Sequence, residues 1–322
     1  MENNIHINYP AHPAVIPRLT RNPMGLRVKP AMTGKASFLP FSFFFLLFGC
    51  FLPFYLIAQP SSHHLINPSS HQPSPIVILH TNDTHSHLES YNEPGLGNVG
   101  GVVRRHTFIQ ETRKQYPNTI VVDAGDFSQG TPYFNLFKGF PEIELMNKMG
   151  YDVVTLGNHE FDNGSKALAK RLKLADFKIV CANYKFKNKK LARLVKPYTI
   201  INMDGKKIGF FGLLLDMKRV LMPSHYQEVT FSDPIAAAQK MVDLLKNKEQ
   251  CDLIICLSHL GIKPEHEGDI TDKDIAENVP GIDVIIGGHS HLLLEYPVIV
   301  NDTKILQARK NGIYVGKLVI SD

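Results

Sequence analysis

From residue 76 onward, short apolar runs alternate with longer amphipathic segments, the pattern of an α/β fold whose strands are covered on both faces. The apolar runs predict strands at Ile76 to Thr81, Ile120 to Ala124, Val153 to Leu156, Leu253 to Leu257 and Val284 to Ile286. Between them, helical spacing of apolar residues predicts helices over Val99 to Gln115, Glu142 to Met149 and Lys166 to Leu174. Asp233-Pro234 supplies an N-cap and a first-turn proline for a further helix to about Asn247. Ile235, Ala238, Met241, Val242 and Leu245 form its buried face. A hairpin is expected from Thr199 to Leu214, turning at Asp204-Gly205. After His291 only strand patterns remain, at Val298 to Val300, Lys304 to Gln307 and Ile313 to Ile320. Periodicity alone gives the impression of an all-parallel sheet.

Each of the first five strands ends in a polar cluster: Asp83-Thr84-His85, Asp123-Ala124-Gly125-Asp126, Asn158-His159, Ser258-His259, and Gly287-Gly288-His289-Ser290-His291. Loops beyond the carboxyl ends of such strands are where α/β proteins build sites, so the clusters converge on one cleft. Gly157 lets the chain turn sharply as it leaves its strand and presents Asn158 and His159 to that cleft.

The clusters contribute seven donors, Asp83, His85, Asp126, Asn158, His259, His289 and His291, all oxygen or imidazole nitrogen. That number suits two ions, especially with one carboxylate bridging. Without thiolate, the set favours manganese, zinc, iron or cobalt over a structural cysteine-zinc site. Two ions about 3.5–4 Å apart suit in-line displacement at phosphorus by water whose pKa is lowered towards ~7. His159 adjoins Asn158, is not needed as a ligand, and is placed to protonate the leaving group. Asp162, three residues on, is placed to hold its second ring nitrogen. His80 and His87 read as neighbours of the ligands rather than ligands, Glu160 as structural, and Arg104 and Arg105 as solvated or salt-bridged.

Asp-x-His, Gly-Asp, Gly-Asn-His-Glu, a lone His and Gly-His-x-His, in this order and each after a strand, resemble the calcineurin-like metallophosphoesterases. Within that superfamily, the stretches His80 to His85, Asp123 to Asp126 with Gln129-Gly130-Thr131-Pro132, Gly157 to Asp162 and Gly287 to His291 resemble the 5'-nucleotidase and UDP-sugar hydrolase branch. The likeness covers about residues 75 to 320. It implies a four-layer α/β/β/α sandwich with two mixed sheets and a dinuclear metal site at strand C-terminal ends. It also implies Asp83, His85 and His291 on the first metal, Asn158, His259 and His289 on the second, and Asp126 across both, with His159 and Asp162 as a catalytic dyad. The expected reaction is 5'-nucleotidase-like hydrolysis of a small phosphate ester by hydroxide held between the metals. Alternatives are hydrolysis of cyclic nucleotides, UDP-sugars or sulfur esters, or a non-catalytic or partner-dependent subunit. Members of the branch continue into a domain that stacks the nucleobase, and this chain stops where that domain would begin, so a separate polypeptide is one expected source of it. Gln307 to Gly312 also stands where a shorter glycine-rich turn is expected.

The formal charge of the 322-residue chain is +5. Arg18, Arg21, Arg27, Lys29 and Lys35 against Glu2 place +4 of it before residue 59, so the remainder lacks the basic surface of a nucleic-acid binder. Phe38 to Ala58 is almost wholly apolar and reads as a secretory signal removed after Ala58, within an N-terminal extension of residues 1–58. The competing reading is an uncleaved signal anchor, and Leu47-Phe48-Gly49-Cys50 faintly resembles a lipidation box. Residues 59–75 read as a polar linker and 76–322 as the catalytic domain, exported to a periplasmic or extracellular location. With Cys50 lost, Cys181, Cys251 and Cys256 form no disulfide framework, so stability rests on the core.

Overall fold

The computed structural model describes residues 74–321 and the backbone of two short N-terminal strands, His6–Asn8 and Ala14–Val15. The signal segment and most of the linker lie outside the described residues.

Two large mixed sheets stack face to face. In the first, β1 (Ile76–Thr81), β2 (Thr119–Asp123), β3 (Val153–Thr155), β4 (Lys178–Val180) and β5 (Val195–Lys196) run parallel. In the second, β6 (Tyr198–Met203) pairs antiparallel with β7 (Lys206–Leu214), which runs parallel to β8 (Leu253–His259) and, through it, to β9 (Val284–Gly287). The far edge is β10 (Val298–Val300), antiparallel to β11 (Thr303–Leu306), which itself lies parallel to β9. The last strand, β12 (Tyr314–Ser321), returns to the first sheet, antiparallel to β1, and its outer side carries the two N-terminal strands. The parallel impression from periodicity is thus corrected: β6, β10 and β12 run against their neighbours, as hairpin turns and a returning chain end require.

Alternation within the strands explains the layers. Ile76, Ile78, Ile120 and Val122 of the first sheet meet Phe210, Ile255, Leu257 and Ile286 of the second in one buried cluster. Their neighbours Val77, Leu79, Val121, Phe211, Cys256 and Ile285 face outward under the helices. Both faces are covered, so β1, β2, β8 and β9 are buried at every position. The covering helices include α1 (Val102–Gln115), α2 (Phe140–Met149), α3 (Gly164–Leu172), α4 (Pro234–Asp243) and α5 (Asp272–Asn278). α1 starts three residues later than the spacing predicts because Gly97–Val99 pairs with Tyr91–Glu93 in a small hairpin. The predicted Asp233 cap accepts from the Ala236 amide at 2.7 Å, and beyond α4 the helix widens into a π turn at Leu244–Lys248. The β6–β7 turn falls at Asp204-Gly205, both left-handed, as a two-residue hairpin of the strands' own twist needs. Among the described residues no helix is long and apolar enough to cross a membrane.

Candidate metal centre

The parallel strands β1, β2 and β3 end at the same edge of one sheet, and β8 and β9 end at the corresponding edge of the other. The five polar clusters follow from those ends. His259 is the last residue of β8 and is fully buried; Asp83 and Asp126 follow β1 and β2 and are buried as deeply.

Oδ1 of Asp83 is the hub, 3.5 Å from Nε2 of His291, 3.8 Å from Nε2 of His259 and 3.9 Å from Nε2 of His85. Asp126 Oδ2 lies 3.0 Å from His259 Nε2, while its Oδ1 accepts from the His159 backbone amide at 2.9 Å. Nε2 of His85 faces Nε2 of His291 at 2.9 Å. The donor atoms fall into three sets, each within 4.8 Å: Asp83 with His85 and His291, Asp83 with Asp126 and His259, and His85 with Asp126 and His159. Two carboxylates, Asp83 as well as Asp126, therefore face more than one set. His289 stands apart from these sets, its ring 5.4 Å from that of His259 and its Nε2 3.5 Å from Oε2 of Glu265. Sequence reasoning misses Glu265, which lies on an exposed polar loop with no motif around it.

Protonation follows from burial and charge. Burial pushes His85 and His291 down to about 4, so both imidazoles are neutral and offer lone pairs to the same point. Burial likewise lowers His289 to about 4 and raises Asp83 to about 7. At Asp126 burial is outweighed by the His259 imidazole, which holds the carboxyl well below its usual range; reciprocally, Asp126 overrides burial and lifts His259 to about 10. At His159 burial is outweighed by the hydrogen bond from Nδ1 to Asp162 Oδ2, 2.9 Å long, and the imidazole is raised to about 9. That bond leaves Nε2 as the ring nitrogen free to act.

The donors fit divalent cations. Oδ1 of Asn158 is buried without a hydrogen-bond partner among the described residues, and two neutral imidazole nitrogens converge beside a buried carboxylate. Such a set is costly without a cation and satisfied with one. Asp83, His85, Asp126, His289 and His291 all have positive φ, between 44° and 68°, in the left-handed region that non-glycine residues seldom occupy.

Buried polar groups hold these loops. Glu160 accepts from the amides of Gly157 at 2.7 Å, Asp126 at 2.9 Å and Ser128 at 3.0 Å, tying the loop after β2 to the loop after β3. A Cβ on Gly157 would overlap Oδ1 of Asp126, so only glycine admits that carboxylate. Asn82 donates to the Arg309 carbonyl at 2.6 Å and accepts from the Ala308 amide at 2.8 Å, while the Asn311 amide donates to the Asp83 carbonyl at 2.7 Å. Gln307 donates to the Gly288 carbonyl and accepts from the Leu292 amide, bracing the loop that carries His289 and His291. Arg105, expected to be solvated or salt-bridged, is not solvated: it is buried and packed near Asp123 and Tyr151, because α1 turns this residue inward. Arg104 stays nearer the surface and donates to the Asn98 carbonyl at 3.0 Å.

Residues 76–293 match the calcineurin-like phosphoesterase family model. The chain belongs to the calcineurin-like phosphoesterases. Within that family it is 36% identical over 273 residues to human 5'-nucleotidase, an alignment covering 76% of this chain and 46% of that protein. It is 32% identical over 281 residues to the trifunctional nucleotide phosphoesterase YfkN of Bacillus subtilis, covering 76% of this chain and 18% of that one. Among solved structures, the 5'-nucleotidase precursor of Thermus thermophilus superposes with a TM-score of 0.67 at 36% identity, over 76% of this chain and 50% of that one. The NAD nucleotidase of Haemophilus influenzae gives 0.67 at 34% identity, over 76% and 52%. This calcineurin-like chain thus spans about half the length, or less, of these relatives.

Proposed function

We propose that the chain is a metal-dependent phosphoester hydrolase of 5'-nucleotidase type. The observation that carries this reading is the convergence of Asp83, His85, Asp126, His259 and His291, from loops of both sheets, beside a His159–Asp162 pair. Asp83, His85 and His291 would hold one divalent ion, Asn158, His259 and His289 a second, and Asp126 both. When bound, the two ions supply Lewis acidity that lowers the pKa of water and screens charge developing at phosphorus.

The residues of the chain do the rest. Asp83 and Asp126, fixed by backbone and by Asn82 and Glu160, keep the donor geometry from relaxing as charge moves. Asp162 holds Nδ1 of His159, so the imidazole keeps one tautomer and one orientation. With its side chain about 30% exposed, His159 reaches the cleft and gives its Nε2 proton to the departing alkoxide. Nucleoside monophosphates are the favoured substrates, since the relatives aligned to this domain include proteins named 5'-nucleotidases. The domain boundaries at 58 and 75, export of the mature chain and a base-binding partner polypeptide belong to the same reading.

The test is a panel of nucleoside monophosphates and simple phosphate esters, assayed with each of several divalent metals while bound metal is quantified. Saturable hydrolysis with about two ions per chain supports the reading. Two bound ions without turnover on any ester overturns it.

A further inference from the structure

A cavity of about 270 Å³ opens directly beside His289 and is used by none of the chemistry above. Its wall is apolar, built from Leu215, Val220, Phe231, Leu260 and Ile270. Phe231 packs on the buried Tyr184 with ring centroids 5.4 Å apart, so it is a fixed surface rather than a loose side chain. The rim is polar and built. Arg219 is held by Asp269 at 3.1 Å and by the Glu267 carbonyl at 3.0 Å, and Asp216, Asp233 and Glu265 complete it. The size, just under the ~300 Å³ at which drug-sized ligand clefts begin, suits a nucleoside or sugar rather than a polymer.

The lining selects the occupant. The one arginine on the rim is already neutralised by Asp269, and three further carboxylates surround it, so a second phosphate would be repelled. A neutral group rich in hydroxyl and N–H donors, with a flat ring to lie against Phe231, is what the wall accepts.

The cavity and His159 serve different flanks of the metal centre. Ring contacts run from His159 to His85 (5.4 Å) and on to His291 (4.9 Å) on one side, and from His259 to His289 (5.4 Å) on the other. Between them, Oδ1 of Asp126 faces the His159 backbone and Oδ2 faces His259. A group protonated by His159 leaves on the first flank, and a group in the cavity lies on the second.

We propose that this cavity is a second substrate subsite, holding a nucleoside that stays bonded to phosphorus while a phosphodiester is cleaved. The proposal rests on the phosphoester-hydrolase reading above. In the step, a P–O bond forms to water and the P–O bond to the departing alcohol breaks. The departing oxygen takes the proton of His159, the water gives up a proton to solvent, and His159 is reprotonated from solvent. The products are a nucleoside monophosphate and an alcohol.

The experiment compares thymidine 5'-(p-nitrophenyl phosphate) with methyl p-nitrophenyl phosphate, which share leaving group and charge and differ only in the retained group. The wild-type chain with its metals is expected to favour the thymidine ester by at least about tenfold in kcat/KM, the effect of one base stacked on one aromatic side chain. Phe231→Ala, which removes the stacking wall, and Val220→Phe, which fills the cavity, are each expected to erase the preference through KM. Calorimetric titration with thymidine, which needs no turnover, should show binding to the wild-type chain and none to Val220→Phe. No preference in the wild type, or a preference that survives in both variants, overturns the proposal. Hydrolysis of p-nitrophenyl phosphate alone, with both diesters inert, overturns it while leaving the parent reading intact.

Discussion

The 3₁₀ turn at His159–Phe161 sets Asp162 Oδ2 2.9 Å from Nδ1 of His159, while the backbone amide of the same histidine is tied to Asp126. Its ring is therefore fixed by two bonds that do not involve Nε2. Replacing His159 by alanine should leave both ions bound and lower kcat by roughly 10²–10⁴-fold, the usual range for a lost general acid. Metal analysis beside steady-state kinetics checks both halves of this expectation. Asp126→Asn should instead lower the occupancy of both ions together, seen by metal analysis after gel filtration, because its carboxylate belongs to two of the donor sets. The donor types of Gly157 to Asp162 are visible in the sequence because amide, imidazole and carboxylate are what coordination chemistry asks for. The positive φ of five candidate ligands, the burial of Arg105 and the contact of Glu265 with His289 are not visible there, since each depends on what another loop brings alongside.

Elements buried on both faces, such as β1 and β8, announce themselves by unbroken apolar runs, and the Asp233 cap is readable because Asp-Pro is local chemistry. β4 and β5, three and two residues long, carry too few positions for any period to emerge and pass unnoticed in the sequence. α5 escapes notice for a related reason: it is seven residues long and follows an acidic, loop-like stretch. Its start is nonetheless a full capping box, with Thr271 Oγ1 accepting from the Asp274 amide and Asp274 accepting from the Thr271 amide at 2.8 Å. Thr271→Ala should cost about 0.5–2 kcal/mol of stability. Urea denaturation reads the change as a lower midpoint at unchanged slope.

For the molecule as a whole, the buried interface between the sheets supplies stability, and the candidate metal donors gather at the seam where both sheets end. Cations that bind the folded chain alone stabilise it by mass action. A chelator should therefore abolish activity and lower the melting temperature, with both restored on adding back a divalent ion; a Tm indifferent to chelation would count against a site built into the fold. If the proposed export entailed cleavage after Ala58, it would also take away His6–Asn8 and Ala14–Val15, leaving the outer backbone groups of β12 without those partners.

Asn82 and Asp83 are anchored by Ala308, Arg309 and Asn311, more than 220 positions further along the chain. During synthesis, every proposed metal donor emerges from the ribosome before the segment that locks the first of them in place. A nascent chain ending at Leu306 would carry all seven donors and still lack the clasp on Asn82 and Asp83. Any metal loading that needs this clasp would thus wait until residues 308–311 had been made and had folded back onto Asn82 and Asp83.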